Sequence, residues 1–329
     1  MKRYFLYILI LFVSLSSCKN SKTLQTQCSG KAYELCVVVK KGQWESALGD
    51  TIKNFFKQPM NGLPQDEPML NVFSVPMSAF GPQLKTHRNV LEVKISKKKK
   101  NPKLYIKHGF MAKQQVYVRM VVNSREQFFE FFEKRKAQIM KIFLDSEQKR
   151  LIKYFSKYPD SKIYNKLKSK YGYSLRVPAG YNINKDTLGF VWMSSETPKN
   201  SKGLFIYSYD YNSQDQFSVK KIVDKRNELL KNFVPGPLPK TYMTTASIDF
   251  CTVRKVTVDS CYAIETRGLW KVSGDFMGGP FVSLSILDEK NQKIVCIDGY
   301  VYAPNEDKRN MLRNVEAVMN TMSFLRKKQ

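Results

Sequence analysis

From Tyr173 onward the chain lays down strand-like segments whose connections are too short to carry a helix, and this spacing constrains the fold more than any other feature. "YSLRVPAGYNIN", "GFVWMSSE" and "GLFIYSYDY" follow one another across polar turns. A helical run, "SVKKIVDKRNELLKNF", then ends at Pro235-Gly236-Pro237. After it come "TVRKVTV", "CYAIETRGLWKV", "GPFVSLSILDE" and "KIVCIDGYVYAP", the last two separated by Lys290-Asn291-Gln292. Parallel neighbours need a crossover of a dozen or more residues, so strands joined this tightly run antiparallel. "EDKRNMLRNVEAVMNTMSFL" closes the chain as a helix. Hairpins in sequence between helices predict the α+β class, antiparallel sheets packed with helices.

The first half alternates more evenly. "ELCVVVKK" (34–41) reads as a buried strand, and "WESALGDTIKNFFKQPM" as an amphipathic helix with Trp44, Leu48, Ile52 and Phe55-Phe56 at three-to-four spacing. "GLPQDEPMLNVFSVP" is a proline-punctuated turn leading into a strand. "RNVLEVKIS" and "KLYIKHG" flank "KKKKNP", which predicts a hairpin with a basic tip, and "QQVYVRMVV" adds a strand. A long helical pattern starts at Ser124, a capping residue with Gln127 three positions on as a capping box, and stops at Pro159. A shorter helix closes at Gly172. This divides the body into a basic α+β domain, 32–172, and a second α+β domain, 173–329. The strand and helix order of the second resembles the small PsbP/Mog1-type sheet-and-helix sandwich.

The N-terminus predicts a location. Met1-Lys2-Arg3 is basic, and Tyr4 to Leu15 is almost unbroken apolar sequence. A membrane-spanning helix needs about 20 apolar residues, so this shorter run predicts a signal peptide over 1–17. Leu15-Ser16-Ser17-Cys18 looks like a bacterial lipobox, in which small residues fit the peptidase and only a thiol can form the thioether to a diacylglycerol. Each buried acyl methylene contributes about 0.8 kcal/mol, so several chains on Cys18 hold a soluble body firmly to a membrane. Residues 18–31 then read as a lipidated tether without acids.

Charge is uneven. The formal net charge is +27, with 31 Lys+Arg against 12 Asp+Glu in residues 19–170 and 22 against 16 in 171–329. Export removes nucleic acid as the explanation. A basic body on a tether is drawn to anionic headgroups, lipid A phosphates or peptidoglycan carboxylates; the plainer account is that the extra lysines are simply solvated. With Cys18 lipidated, Cys28, Cys36, Cys251, Cys261 and Cys296 remain, an odd number, and no C-x-x-C spacing occurs. Cys36 and Cys296 lie in strand-like runs, where a thiol acts as a small apolar group. Cys251 and Cys261 meet only if the segment between them doubles back. Neither a disulfide scaffold nor a thiol oxidoreductase is expected.

Catalytic motifs are sparse. His87 and His108 have no partners at zinc-ligand spacing, no G-x-S-x-G precedes a helix, and no phosphate-binding glycine loop follows a strand. No metal or cofactor is expected. Two carboxylates alone suffice for chemistry on peptidoglycan or another glycan, with Glu265 and Asp275 the conceivable pair. The densest binding candidate is "ETRGLWKVSGDFMGGPFVS": Arg267, Trp270, Asp275 and Phe276 beside a chain reversal at Gly278-Gly279-Pro280. The alternative there is that Trp270 and Phe281 are core and Gly278-Gly279 a plain loop. "LPQDEP", with Asp66 and Glu67, reads as a stiff recognition segment or a rigid connector. Lys97, Lys98, Lys99 and Lys100 form a candidate contact for an anionic surface, or a solvated tip.

"LPQDEP" (63–68), "HRNVLEV" (87–93), "FVW" (190–192), "TYMTT" (241–245), "RGLW" (267–270), "MGGPF" (277–281) and "KRNMLR" (308–313) together resemble an uncharacterised family of Bacteroidetes lipoproteins, known only as a domain of unknown function. The resemblance implies a lipoprotein and carries no reaction. Surface-exported lipoproteins of such bacteria often bear acids just after the cysteine. Their absence in "KNSKTLQTQCSGK" implies an anchor at the outer membrane facing the periplasm. The leading expectation is a non-enzymatic envelope lipoprotein that binds an envelope protein or anionic polymer. A carboxylate enzyme and a carrier of an apolar ligand are the alternatives.

Overall fold

The computed structural model describes residues 25–187 and 189–325; the predicted signal peptide, the predicted lipid site Cys18 and the start of the predicted tether lie outside the described residues. Strands β1 (Glu34–Val38), β2 (Asn71–Val75), β3 (Asn89–Ile95), β4 (Lys103–His108) and β5 (Val116–Val122) form a first sheet in the order β2-β1-β3-β5-β4. β1 is parallel to β2 and β3 because helix α1 (Ala47–Phe56) and the turns of residues 76–88 carry the chain back before each new strand, and β3 is parallel to β5 because β4 returns the chain between them. Only β4 is antiparallel.

The lysine-tipped hairpin is therefore corrected: β3 and β4 are consecutive but not neighbours, since β5 lies between them. Polarity explains the order. β5 buries six of its seven residues and needs cover on both faces, whereas β4 is mostly exposed and polar enough for an edge. Helix α2 (Arg125–Lys157) covers one face of this sheet with α1, packing Phe128, Phe132, Ile139 and Phe143 against Leu91, Val118 and Met120. Ser124 Oγ accepts the Gln127 amide N–H at 3.2 Å and Gln127 Oε1 takes the N–H of Asn123 at 2.8 Å, so the expected cap closes one residue early.

The second sheet is the hairpin series read from the sequence. Short β6 (Tyr173–Ser174) precedes β7 (Asn182–Thr187), β8 (Phe190–Glu196), β9 (Ser201–Asp210), β10 (Tyr242–Thr245), β11 (Thr252–Val258), β12 (Cys261–Ser273), β13 (Gly278–Asp288) and β14 (Lys293–Tyr302). The order is β10-β12-β13-β14-β9-β8-β7, all antiparallel, with β11 paired along the first part of β12. Terminal β15 (Ser323–Phe324) pairs with β6.

Helix α4 (Val219–Phe233) covers one face over an aromatic core of Phe190, Phe205, Tyr207, Phe281 and Tyr300. Helix α5 (Arg309–Met319) covers the other over an aliphatic one, where Leu312 and Val315 meet Leu204, Ile297 and Val301. Helix α3 (Ser161–Tyr171) belongs to this second core through Ile163 and Leu167, so the boundary read at residue 172 moves to the α2–α3 turn. The apolar face of a helix, not its chain position, decides which core it joins. α2 packs against α5, which stacks the molecule as α4, second sheet, α5, α2 with α1, first sheet.

Candidate functional site

The halves are joined by polar contacts from the segments singled out in the sequence. In "LPQDEP", Glu67 is buried and its two oxygens accept the backbone N–H groups of Lys308 (2.6 Å) and Arg309 (2.8 Å). It thus caps α5, whose own N-cap residue, Lys308, supplies no side-chain cap. A carboxylate at a helix N-terminus satisfies orphan N–H groups and complements the dipole. Arg309 and Arg313 lie over the Tyr33 ring at 5.7 and 5.5 Å, and burial pushes the Tyr33 hydroxyl pKa upward. "HRNVLEV" anchors α2: buried Glu147 accepts from Arg88 (3.0 Å), Asn89 (2.6 Å) and Arg150 (2.9 Å).

Between α2 and the second sheet, α5 leaves β11, β12 and part of β13 uncovered. A cleft of about 620 Å³ opens there, continuing into one of about 420 Å³ that shares Gln58, Leu144, Arg254, Glu265, Arg267 and Arg313. One chain of charges lines its wall. Arg254 grips Glu265 with two bonds of 2.7 Å, Arg267 Nε adds a third of 2.7 Å, Arg267 Nη1 reaches Glu316 at 2.6 Å, and Arg313 reaches Glu316 at 3.1 Å. Burial alone would raise the Glu265 carboxyl, but the Arg254 and Arg267 guanidiniums outweigh it and hold its pKa at about 2. Glu316 is likewise lowered, Arg267 and Arg313 overriding its burial. Arg313 Nε is buried without a hydrogen-bond partner among the described residues, and the Arg254 side chain, at the mouth, is 66% exposed.

The sequence-predicted residues do not share one surface. Arg267 is in the cleft wall. Trp270 is 3% exposed; its indole N–H donates to Val301 O at 3.2 Å beside Tyr300, so it is core. Gly278 and Gly279 are paired residues of β13 opposite Lys271 and Trp270, not a chain reversal. The reversal is at Gly274, φ +86°, followed by half-buried Asp275 and by Phe276 at 106% exposure. A Cβ on Gly279 would sit 2.1 Å from Val301 O, so this glycine lets strand and indole close up. Eight residue steps along β12 separate Glu265 from Ser273, about 26 Å of strand, so Glu265 and Asp275 do not form a pair. Lys97 to Lys100 are exposed in the loop from β3 to β4.

A second cavity, about 500 Å³, is lined by Trp192, Trp270, Val272, Met277, Tyr300 and Tyr302 with the prolines of the α4–β10 turn. His87 is buried, Nδ1 on Asn89 O at 3.0 Å, and His108 is exposed. No cluster of His, Cys, Asp and Glu among the described residues could hold a metal ion. Cys36 and Cys296 are buried strand residues whose thiols burial pushes up to about 12. Cys251 and Cys261 sit at opposite ends of extended β11.

Sequence reasoning missed Arg254, Arg313 and Glu316. A signal existed for the first: a two-residue turn at Asp259-Ser260, φ +48° and +66°, makes Arg254 the cross-strand partner of Glu265. Arg313 and Glu316 come from a helix brought in by the fold.

Residues 160–321 match the family described as domain of unknown function DUF4837, and residues 28–156 the one described as domain of unknown function DUF8532. No curated protein matches. Among solved structures, the chain is similar to the Saccharomyces cerevisiae Ran-binding protein Mog1p, at 9% identity over 47% of this chain and 90% of that one, TM-score 0.32. It is also similar to LpqN, involved in cell envelope biogenesis of Mycobacterium tuberculosis, at 11% identity over 46% of this chain and 82% of that one, TM-score 0.28.

Proposed function

We propose that this is a lipid-anchored cell-envelope protein of the Bacteroidetes family its motifs resemble, tethered through Cys18 at the outer membrane facing the periplasm. Its body binds an acidic envelope component in the cleft between Arg254 and α2 without turning it over. The observation that carries the reading is the charge chain on the cleft wall. Three guanidiniums face two carboxylates, leaving one positive charge in a half-enclosed site. Glu265 stays ionised across the neutral range and has no proton to deliver as a general acid. Paired glycosidase carboxyls stand roughly 5 to 9.5 Å apart, far closer than Glu265 and Asp275. Arg254 is exposed enough to turn from Glu265 to a carboxylate or phosphate of a partner, while Arg267 keeps Glu265 paired.

Two measurements test this. Replacing Cys18 by Ser should abolish palmitate labelling and release the protein from the membrane fraction. Purified sacculi should pull down the mature chain with no soluble fragments released, and Arg254→Ala should weaken retention. Fragment release by wild type, lost in a folded Glu265→Gln variant, would replace the binding reading with the enzymatic one. A second reading, carriage of an apolar ligand, is favoured by the cavity beside Trp270. It requires one extractable lipid per chain after native purification, and a lipid-free protein whose tryptophan emission ignores added fatty acid would end it.

A further inference from the structure

The first described residues are stitched to the loop after β4. Gln25 Nε2 donates to Gly109 O at 2.6 Å, Lys113 N to Thr26 O at 2.7 Å and Cys28 N to Lys113 O at 3.2 Å. Cys18 precedes Gln25 by seven positions, a reach of at most about 25 Å. On the lipid-anchor reading, on which this inference rests, the bilayer surface must lie within that reach of the Gly109–Lys113 loop.

The surface beginning there is the sheet face turned away from α1 and α2. Near β1 it is filled by Cys36, Val38, Val90 and Phe80, packing that Tyr117 continues, and Glu92 and Val121 are buried beside it; Lys94 on β3, Arg119 on β5 and Lys103, Tyr105 and Lys107 on β4 meet solvent. Register sets them in rows: Lys94, Val121, Lys103; then Glu92, Arg119, Tyr105; then Val90, Tyr117, Lys107. Lys94, Lys103, Lys107 and Arg119 are all exposed. The one carboxylate among them, Glu92, is taken by Arg119 and the Tyr117 hydroxyl. At the tether end the face runs into Phe110, 43% exposed, whose ring lies 5.4 Å from Tyr117 with Lys107 Nζ 3.9 Å above it. Tyr105 is 42% exposed, and the Lys97 to Lys100 loop enters β4 at its far end, one strand length or about 20 Å away.

Cations interleaved with amphipathic aromatics suit the interface of an anionic leaflet, where basic residues are drawn to headgroups within a Debye length. We infer that the exposed outer part of this sheet face, Lys94, Lys103, Lys107 and Arg119 with Tyr105 and Phe110, lies against the anionic lipid surface to which the chain is tethered. The contact supplies a second membrane signal beside the acyl anchor and fixes how the body stands. The arginine cleft is on the other side of the first sheet, behind α2, and stays open while the face is occupied.

The test uses the full mature chain carrying Cys18→Ser, without lipid, and phosphatidylcholine vesicles with or without phosphatidylglycerol as the minor component. With brominated phosphatidylcholine as quencher, F110W should be quenched on the anionic vesicles only, above the background of Trp44, Trp192 and Trp270. High salt should reverse it, and F276W should not be quenched. Lys103→Glu with Lys107→Glu should lower partitioning by at least about tenfold, whereas Lys220→Glu with Lys221→Glu on α4 should leave it within about twofold. No association, equal quenching at both probes, equal loss in both double variants, or lipid-independent self-association through the same residues would each overturn the proposal. The anchor is read separately, from the acyl mass on Cys18 of the wild type. An unmodified Cys18 with a successful vesicle arm sinks the anchor alone; a modified Cys18 with a failed vesicle arm sinks the face alone.

Discussion

Glu265 is held by two guanidiniums and nearly removed from water, and its effect on stability has a definite sign. Its folded pKa, about 2, lies below the ordinary 4.5, so its contribution is complete above about 4.5 and is lost as pH falls toward 2. The shift corresponds to on the order of 3 kcal/mol. Acid titration of unfolding should show this loss, and Glu265→Gln should be destabilised at neutral pH with a flatter slope between those values. Gly279→Ala should cost several kcal/mol in denaturant melts, since its Cβ would press on the Val301 carbonyl rather than on a movable side chain. At this scale the sequence marked Glu265 as a carboxylate that could do chemistry and Arg267 as part of a dense binding candidate, for reasons other than their ion pair. It could not show that Trp270 faces inward, because a strand pattern reveals alternation but not which side is core.

Among elements, α5 is completed from outside itself. Glu67→Gln keeps the size of the cap but loses its charge and should cost about 1–2 kcal/mol; amide exchange should rise at Lys308 and Arg309 first. The two motifs, "LPQDEP" and "KRNMLR", were each visible in the sequence, but their contact was not, because it spans 242 positions and leaves no periodicity. The hairpins after Tyr173 were legible because short loops leave no choice of direction. The first sheet was less so: "RNVLEVKIS" and "KLYIKHG" look like hairpin arms, and only the two-sided burial of "VYVRMVV" argues that it belongs between them. Exchange should accordingly be fast in β4 and slow in β5.

In the whole molecule, the two halves are bound into one body by Glu67 on α5, by Arg309 and Arg313 over Tyr33, and by Gln148, which donates to Glu316 at 3.4 Å. Wild type should therefore melt in a single calorimetric transition. Glu316→Ala removes the acceptor of Gln148 and leaves Arg267 and Arg313 without their shared carboxylate and, combined with Glu67→Ala, should split the melt into two. The sequence located two α+β halves by their patterns, yet it placed α3 with the wrong one, since Ile163 and Leu167 would suit either core until the sheets are in place.

The placement of β5 between two strands that precede it also sets an order of assembly. A chain made from its N-terminus brings β3 and β4 together first, joined by a loop short enough to close, and their backbone groups are free to pair. That pairing has to be absent, or to come apart, before Val116–Val122 can enter. The first half therefore cannot reach its final sheet until residue 122 is available, and any fragment ending earlier is left to zip into the wrong neighbour.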